Sequence, residues 1–135
     1  MKNILHRDLK SSNILLGEDW EVKLCDFGLS ADKKEGKTGV RVGTFQWMAP
    51  EVMGQEEKIS ESADVYSFGV ILWEMLCQKI PFDGLSEQQI IGLVLHDQEN
   101  HLEPPTAGNE ILIDIMEKCL QKTPKDRPSF MEIQS

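Results

Sequence analysis

The sequence predicts a mainly helical fold carrying one small β-hairpin, and three features of its pattern support that reading. Near the start, two short apolar runs, Ile14-Leu15-Leu16 and Val22-Lys23-Leu24-Cys25, are joined by Gly17-Glu18-Asp19-Trp20-Glu21, a length that suits a hairpin connection. Between Ala63 and Cys77 eleven of 15 residues are apolar, so this stretch reads as a helix buried nearly all round. Farther on, apolar residues recur at helical spacing in two more segments.

Taken in order, the hairpin comes first and is the only sheet expected. From Ser30 to Gly43 the composition turns to Lys, Glu, Gly and Thr with almost no apolar period, which marks a long surface loop. In the segment from Ala63 only Asp64, Ser67, Gly69 and Glu74 interrupt the apolar character. A third element starts at Ser86, a capping residue followed three positions later by Gln89, and continues through Ile90, Ile91, Leu93, Val94 and Leu95 to an end near His96. Ile111, Leu112, Ile115, Met116, Cys119 and Leu120 form the next amphipathic helix, with Asn109 as its N-cap and Pro124 just beyond its end. Pro128-Ser129 opens a last helix. There is no internal repeat and no low-complexity tract.

A chain of 135 residues suits one domain of ordinary size, so any function must sit on a single core. Acidic residues outnumber basic ones by 23 to 14, giving a net charge of −9, the wrong balance for holding nucleic acid by its phosphates. With 40% hydrophobic and 27% charged residues, the composition is that of a folded globular protein rather than a disordered one. The longest unbroken apolar run, Val70 to Trp73, cannot cross a bilayer, and the first residues match neither a signal nor a transit peptide. Cys25, Cys77 and Cys119 stand far apart, with no Cys-x-x-Cys pair, and no Asn-x-Ser/Thr sequon occurs. Reduced, buried thiols and a cytoplasmic location are therefore expected.

The chemistry concentrates around the hairpin. His6-Arg7-Asp8-Leu9-Lys10-Ser11-Ser12-Asn13 puts an acid, a cation and an amide on one short loop ahead of the first strand. A carboxylate there can take or orient the proton of an attacking hydroxyl, a lysine two residues on can offset charge on a transferred phosphate, and an amide five residues on can ligate a hard cation. Asp26-Phe27-Gly28, after the second strand, supplies another oxygen ligand and a glycine for a sharp turn.

These residues resemble the large lobe of a eukaryotic protein kinase. Five motifs occur in that family's order: His6-Arg7-Asp8-Leu9-Lys10 to Asn13, Asp26-Phe27-Gly28, Ala49-Pro50-Glu51, Asp64-Val65-Tyr66-Ser67-Phe68-Gly69, and Arg127-Pro128. Lys10 and the segment Gly43-Thr44-Phe45-Gln46-Trp47-Met48-Ala49-Pro50-Glu51 resemble serine/threonine kinases of the tyrosine-kinase-like branch, with tyrosine specificity as the alternative. The resemblance implies the C-terminal lobe of the protein-kinase-like fold over 1–135, with 26–51 as its activation segment, using ATP and Mg²⁺. It also implies a catalytic base at Asp8, a γ-phosphate contact at Lys10, Mg²⁺ ligands at Asn13 and Asp26, and part of the adenine floor at Leu15. Thr44 would help dock the acceptor hydroxyl. His6 and Phe27 resemble spine residues, with Gly28 completing the second motif; Asp64 resembles an acid that holds the catalytic loop's backbone, and Glu51 with Arg127 an internal ion pair. Cys25 would face the nucleotide, or else be a small core thiol.

The basic loop around Thr38 carries two readings. A phosphate placed there by an upstream kinase could pair with Arg7 and order the loop, or Lys33, Lys34, Lys37 and Arg41 simply form a solvated basic surface. No Gly-x-Gly-x-x-Gly loop or Val-Ala-Ile-Lys strand occurs, so the N-terminal lobe is expected to be absent and the helix from Ala63 to expose part of an apolar face. The expected partners are ATP and a protein substrate, without nucleic acid or membrane insertion. The expected function is serine/threonine phosphorylation by a truncated catalytic domain; the alternative is a catalytically inactive, kinase-like binding or regulatory module.

Overall fold

The computed structural model describes residue 6 and residues 8–24, 45–56, 59–96 and 102–134. Over these residues the fold is mainly helical with one two-stranded antiparallel sheet, the class that the sequence pattern predicts. Strands β1 (Ile14–Leu16) and β2 (Val22–Leu24) pair Ile14 with Leu24, Leu15 with Lys23 and Leu16 with Val22. Their connection is the expected 17–21 segment, closed by the Gly17 N–H to the Glu21 carbonyl at 2.8 Å and turned at Trp20, whose φ is 59°.

Helices α1 (Pro50–Met53), α2 (Ser62–Cys77), α3 (Glu87–His96), α4 (Glu110–Cys119) and α5 (Phe130–Gln134) follow. Local capping sets several of their ends. Ser86 and Gln89 form a reciprocal box at α3: the Ser86 N–H donates to Gln89 Oε1 at 2.9 Å, and the Gln89 N–H to Ser86 Oγ at 3.2 Å. Asn109 Oδ1 accepts from the Ile111 N–H at 2.8 Å and the Leu112 N–H at 3.4 Å, so it caps α4. Ser129 Oγ accepts from the Glu132 N–H at the start of α5. Helix α2 stops at Gln78, which adopts the left-handed conformation and returns its N–H to the Glu74 carbonyl.

Helix α2 is the axis of the core. Ala63, Val65, Tyr66, Val70, Ile71, Leu72 and Trp73 are all buried, joined by Ala49, Leu102, Met116 and Leu120 from elsewhere in the chain. The Trp73 indole N–H donates to the Glu103 carbonyl at 2.6 Å, pinning the segment before α4 against α2. Gly69 sits where α2 meets α4: a Cβ there would lie 2.8 Å from Cys119 Cβ and 3.0 Å from Leu120 Cδ2, so glycine is what allows the two helices to approach. A second small core, Met48, Met53 and Ile90, joins α1 to α3.

Two expectations are corrected. Apolar exposure on α2 is confined to its end, at Met75; from Ala63 to Trp73 the helix is enclosed except for the half-buried Phe68, and further apolar surface stands open on the hairpin, at Leu16, Trp20, Val22 and Leu24. In α4, Ile111 is 70% exposed and Leu112 40%, because its first turn runs past the core and burial begins in earnest at Met116. Among the described residues no helix is long and apolar enough to cross a membrane.

Candidate functional site

The loop preceding β1 is held at both ends by buried hydrogen bonds. At one end the His6 backbone N–H donates to Asp64 Oδ2 at 2.8 Å, which ties the loop to the first turn of α2. His6 is itself buried, and its Nδ1 accepts the Asp8 backbone N–H at 3.2 Å, so this ring nitrogen carries no proton. At the other end Asn13 Nδ2 donates to the Asp8 carbonyl at 2.6 Å, folding the loop back on itself. A single 3₁₀ turn, Ser11–Asn13, completes it, with the Asn13 N–H bonded to the Lys10 carbonyl at 3.0 Å.

This scaffold brings Asp8, Lys10 and Asn13 together. Lys10 Nζ lies 3.7 Å from Asp8 Oδ2; the carboxylate side chain is 7% exposed and the lysine side chain 24%. Asn13 is buried, and because its amide nitrogen is committed to the Asp8 carbonyl, the oxygen is the atom it offers to an incoming ligand. Leu15, 52% exposed, stands next in the chain on the opposite hairpin face from Ile14 and Leu16, paired with Lys23. Arg7, Cys25, Asp26, Phe27, Gly28, Ser30, Thr38 and Thr44 lie outside the described residues.

A hard cation suits part of this set. An amide oxygen whose nitrogen is anchored cannot flip, and oxygen donors are what Mg²⁺ takes. Asn13 meets that requirement; Asp26 lies outside the described residues. Among the described residues no group of three His, Cys, Asp or Glu side chains could hold a metal ion.

The second buried polar centre lies at the far side of α1. Arg127 makes a two-pronged bond to Glu51, Nη1 to Oε1 at 2.6 Å and Nη2 to Oε2 at 2.9 Å, with the two side chains 0% and 3% exposed. Its remaining donors reach the carbonyls of Gln121 at 2.7 Å, Ser62 at 2.9 Å and Lys122 at 3.1 Å. Every N–H of the guanidinium is thereby used. Its face lies 5.1 Å from the centre of the Tyr66 ring. The cluster locks α1, and hence the chain leading out of the Phe45–Trp47 turn, to the start of α2 and the turn after α4. Only the resemblance signalled the ion pair; the three carbonyl partners carried no sequence signal.

Burial pushes the Tyr66 phenol up to about 12, with Arg127 opposing the shift and Glu51 reinforcing it. Tyr66 is the single tyrosine of the chain, so its titration can be followed alone. An unfolded tyrosine ionises near pH 10, whereas the folded one holds its proton about two units further, so this contribution is complete below pH ~10 and disappears as pH rises through ~12. Roughly 2–3 kcal/mol should be lost across that window, seen as phenolate absorbance appearing together with unfolding. Phenolate absorbance at pH ~10 in protein that remains folded would contradict the burial. Cys119 is likewise pushed up by burial, to about 11, which makes it an inert thiol.

Comparison with known proteins gives a consistent result. Residues 1–135 match the family model described as protein kinase domain. The chain is 43% identical over 132 residues to a probable serine/threonine-protein kinase, SIS8, of Arabidopsis thaliana, covering 96% of this chain and 13% of that protein. It is 42% identical over 129 residues to a probable serine/threonine-protein kinase, drkB, of Dictyostelium discoideum, covering 94% and 18%. With the mitogen-activated protein kinase kinase kinase zak-1 of Caenorhabditis elegans it shares 38% identity over 132 residues, covering 97% and 18%. The chain thus spans less than a fifth of the length of these curated relatives.

Proposed function

The chain belongs to the protein kinase family, and from that membership we propose that it supplies the catalytic loop of a protein serine/threonine kinase, transferring the γ-phosphate of ATP to a protein hydroxyl. The observation that carries the reading is the loop itself: a buried carboxylate and a lysine 3.7 Å apart, on a backbone fixed from both sides by Asp64 and Asn13.

In this reading Asp8 accepts the proton of the acceptor serine or threonine hydroxyl as its oxygen attacks the γ-phosphorus, and ADP leaves with the electrons of the broken bond. Lys10, beside that carboxylate, offsets the negative charge spreading over the transferred group. Asn13, with Asp26 from the second motif, would hold Mg²⁺, which when bound neutralises phosphate charge. Leu15 offers an exposed apolar side chain to the adenine ring. Rigidity is the main contribution of the remaining residues: His6, Asp64, Glu51 and Arg127 fix the loop and its surroundings before substrate arrives, so little reorganisation is left for the reaction.

Residues 26–51 serve in this proposal as the activation segment, with Phe27 and Gly28 at its start. Thr44 docks the acceptor, and Thr38 is the position where an upstream kinase would add a phosphate that pairs with Arg7. Incubation with Mg²⁺ and ATP labelled at the γ-position, followed by phosphoamino-acid analysis of an added protein acceptor, tests the central reaction. Label on serine or threonine is expected. Label confined to tyrosine would replace the specificity assigned here, and no label would remove the transfer reading.

A further inference from the structure

Helix α3 has little in its own sequence to hold it. Of its ten residues only Ile90 is buried, in the small core with Met48 and Met53. Gly92 stands in its interior, where glycine weakens a helix relative to alanine. No side chain among the described residues lies within 4 Å of a Cβ built on Gly92, so close packing does not call for a glycine there. The helix still has a structural task. Ile91, Val94 and Leu95 pack with Phe45 and Val52 around the same core, so α3 backs both α1 and the 3₁₀ turn Phe45–Trp47.

The C-terminal end of α3 is served from another part of the chain. The last four carbonyls of an α-helix have no partner inside it, and they form the negative end of its dipole. The Lys122 ammonium donates to one of them, the Leu95 carbonyl, at 3.0 Å and across 27 positions. Lys122 lies in the turn after α4, where its own carbonyl accepts Arg127 Nη2 at 3.1 Å and the neighbouring Gln121 carbonyl accepts Arg127 Nε at 2.7 Å. The side chain that caps α3 therefore extends from backbone that the Glu51–Arg127 cluster holds. Leu95 also meets the end of α1: a Cβ on Gly54 would stand 3.9 Å from Leu95 Cδ2.

We propose that Lys122 is a positioning residue: its ammonium caps α3, and through α3 it fixes the Phe45–Trp47 turn, which follows the residue assigned to docking the acceptor. The proposal rests on the phosphoryl-transfer reading above and adds to it a residue outside the five motifs. Arg127 sets where the lysine side chain starts; the ammonium sets where α3 ends. Charge and hydrogen bond act together here, since a neutral, donor-free side chain would leave both the Leu95 carbonyl and the helix dipole without their partner. In a helix with an interior glycine and one buried side chain, that loss is felt along its whole length.

The test compares Lys122→Met, Lys122→Arg and the double variant Lys122→Met/Gly92→Ala in the protein that carries this chain. Methionine keeps much of the aliphatic stem and loses the cation, while the backbone carbonyl still serves Arg127. In Lys122→Met, hydrogen exchange should speed about fivefold in the last turn of α3 and at the Met48 amide, while the amides of α4 keep their rates. The Met48 amide reports on the turn because it donates to the Phe45 carbonyl at 3.1 Å. KM for the protein acceptor should rise by about the same factor, with KM for ATP unchanged. Lys122→Arg, still a cation, should stay close to the parent, and Gly92→Ala should restore the methionine variant by strengthening the helix interior. A role in global stability alone would speed exchange in α4 as well and leave both KM values in place. Unchanged exchange in α3 or at Met48 overturns the proposal, as does an unchanged acceptor KM or a double variant as impaired as Lys122→Met. If the unsubstituted protein transfers no phosphate, the transfer reading fails by itself and exchange decides: faster exchange at both places upholds the role of Lys122, and an unchanged Met48 rate rejects it.

Discussion

Replacing Arg127 with methionine is expected to cost about 3–5 kcal/mol of folding stability, lowering the melting temperature by roughly 10–15 °C. The substitution leaves the Glu51 carboxylate, 3% exposed, without its counter-charge. It also removes the donors that satisfy the carbonyls of Gln121, Ser62 and Lys122. A domain of this size holds only about 5–15 kcal/mol in total, so much of the fold's margin is at stake. Glu51→Gln should cost less, because an amide still offers one oxygen and the guanidinium keeps its three carbonyl partners. Arg127→Lys should recover little, since one ammonium cannot reproduce a two-pronged bond to Glu51 together with contacts to three carbonyls. Urea melts of the three variants check this order. A methionine variant within about 0.5 kcal/mol of the parent would mean that the cluster is not closed to water.

Asp8→Asn should have the other large effect, on reaction rather than on folding. The change removes the group that takes the hydroxyl proton, a contribution of about 10²–10⁴-fold in such chemistry. The described backbone bonds that shape the loop at this residue stay in place: the N–H to His6 Nδ1 and the carbonyl to Asn13 Nδ2. An asparagine side chain has nearly the same volume and places a neutral amide beside Lys10. Phosphate transfer and stability should therefore separate cleanly in this variant, unlike Arg127→Met, where both should fall.

What the sequence made legible follows the range of the interactions. The hairpin, α2, α3 and α4 depend on local periodicity, and the caps Ser86–Gln89 and Asn109 act within three residues of their partners, so pattern alone located them. The four-residue α1 and the 3₁₀ turns at Ser11–Asn13, Phe45–Trp47 and Pro124–Asp126 are too short to show a period, and none was anticipated as an element. Exposure of Ile111 is a tertiary outcome: its spacing fits the apolar stripe, yet its side chain is left 70% exposed among the described residues. The site divides in the same way. Asp8, Lys10 and Asn13 sit within six positions, and their chemistry could be read from spacing. Asp64 meets His6 across 58 positions and Arg127 meets Glu51 across 76, distances over which no pattern operates, so only the resemblance linked them.

The most direct test of the central claim is γ-phosphate transfer by the unsubstituted protein and by Asp8→Asn, measured at equal folded fraction as judged by their melts. The account predicts matching melts and a fall in transfer of about 10²–10⁴-fold. Transfer that survives the substitution, in protein that is equally well folded, would contradict the role given to the loop.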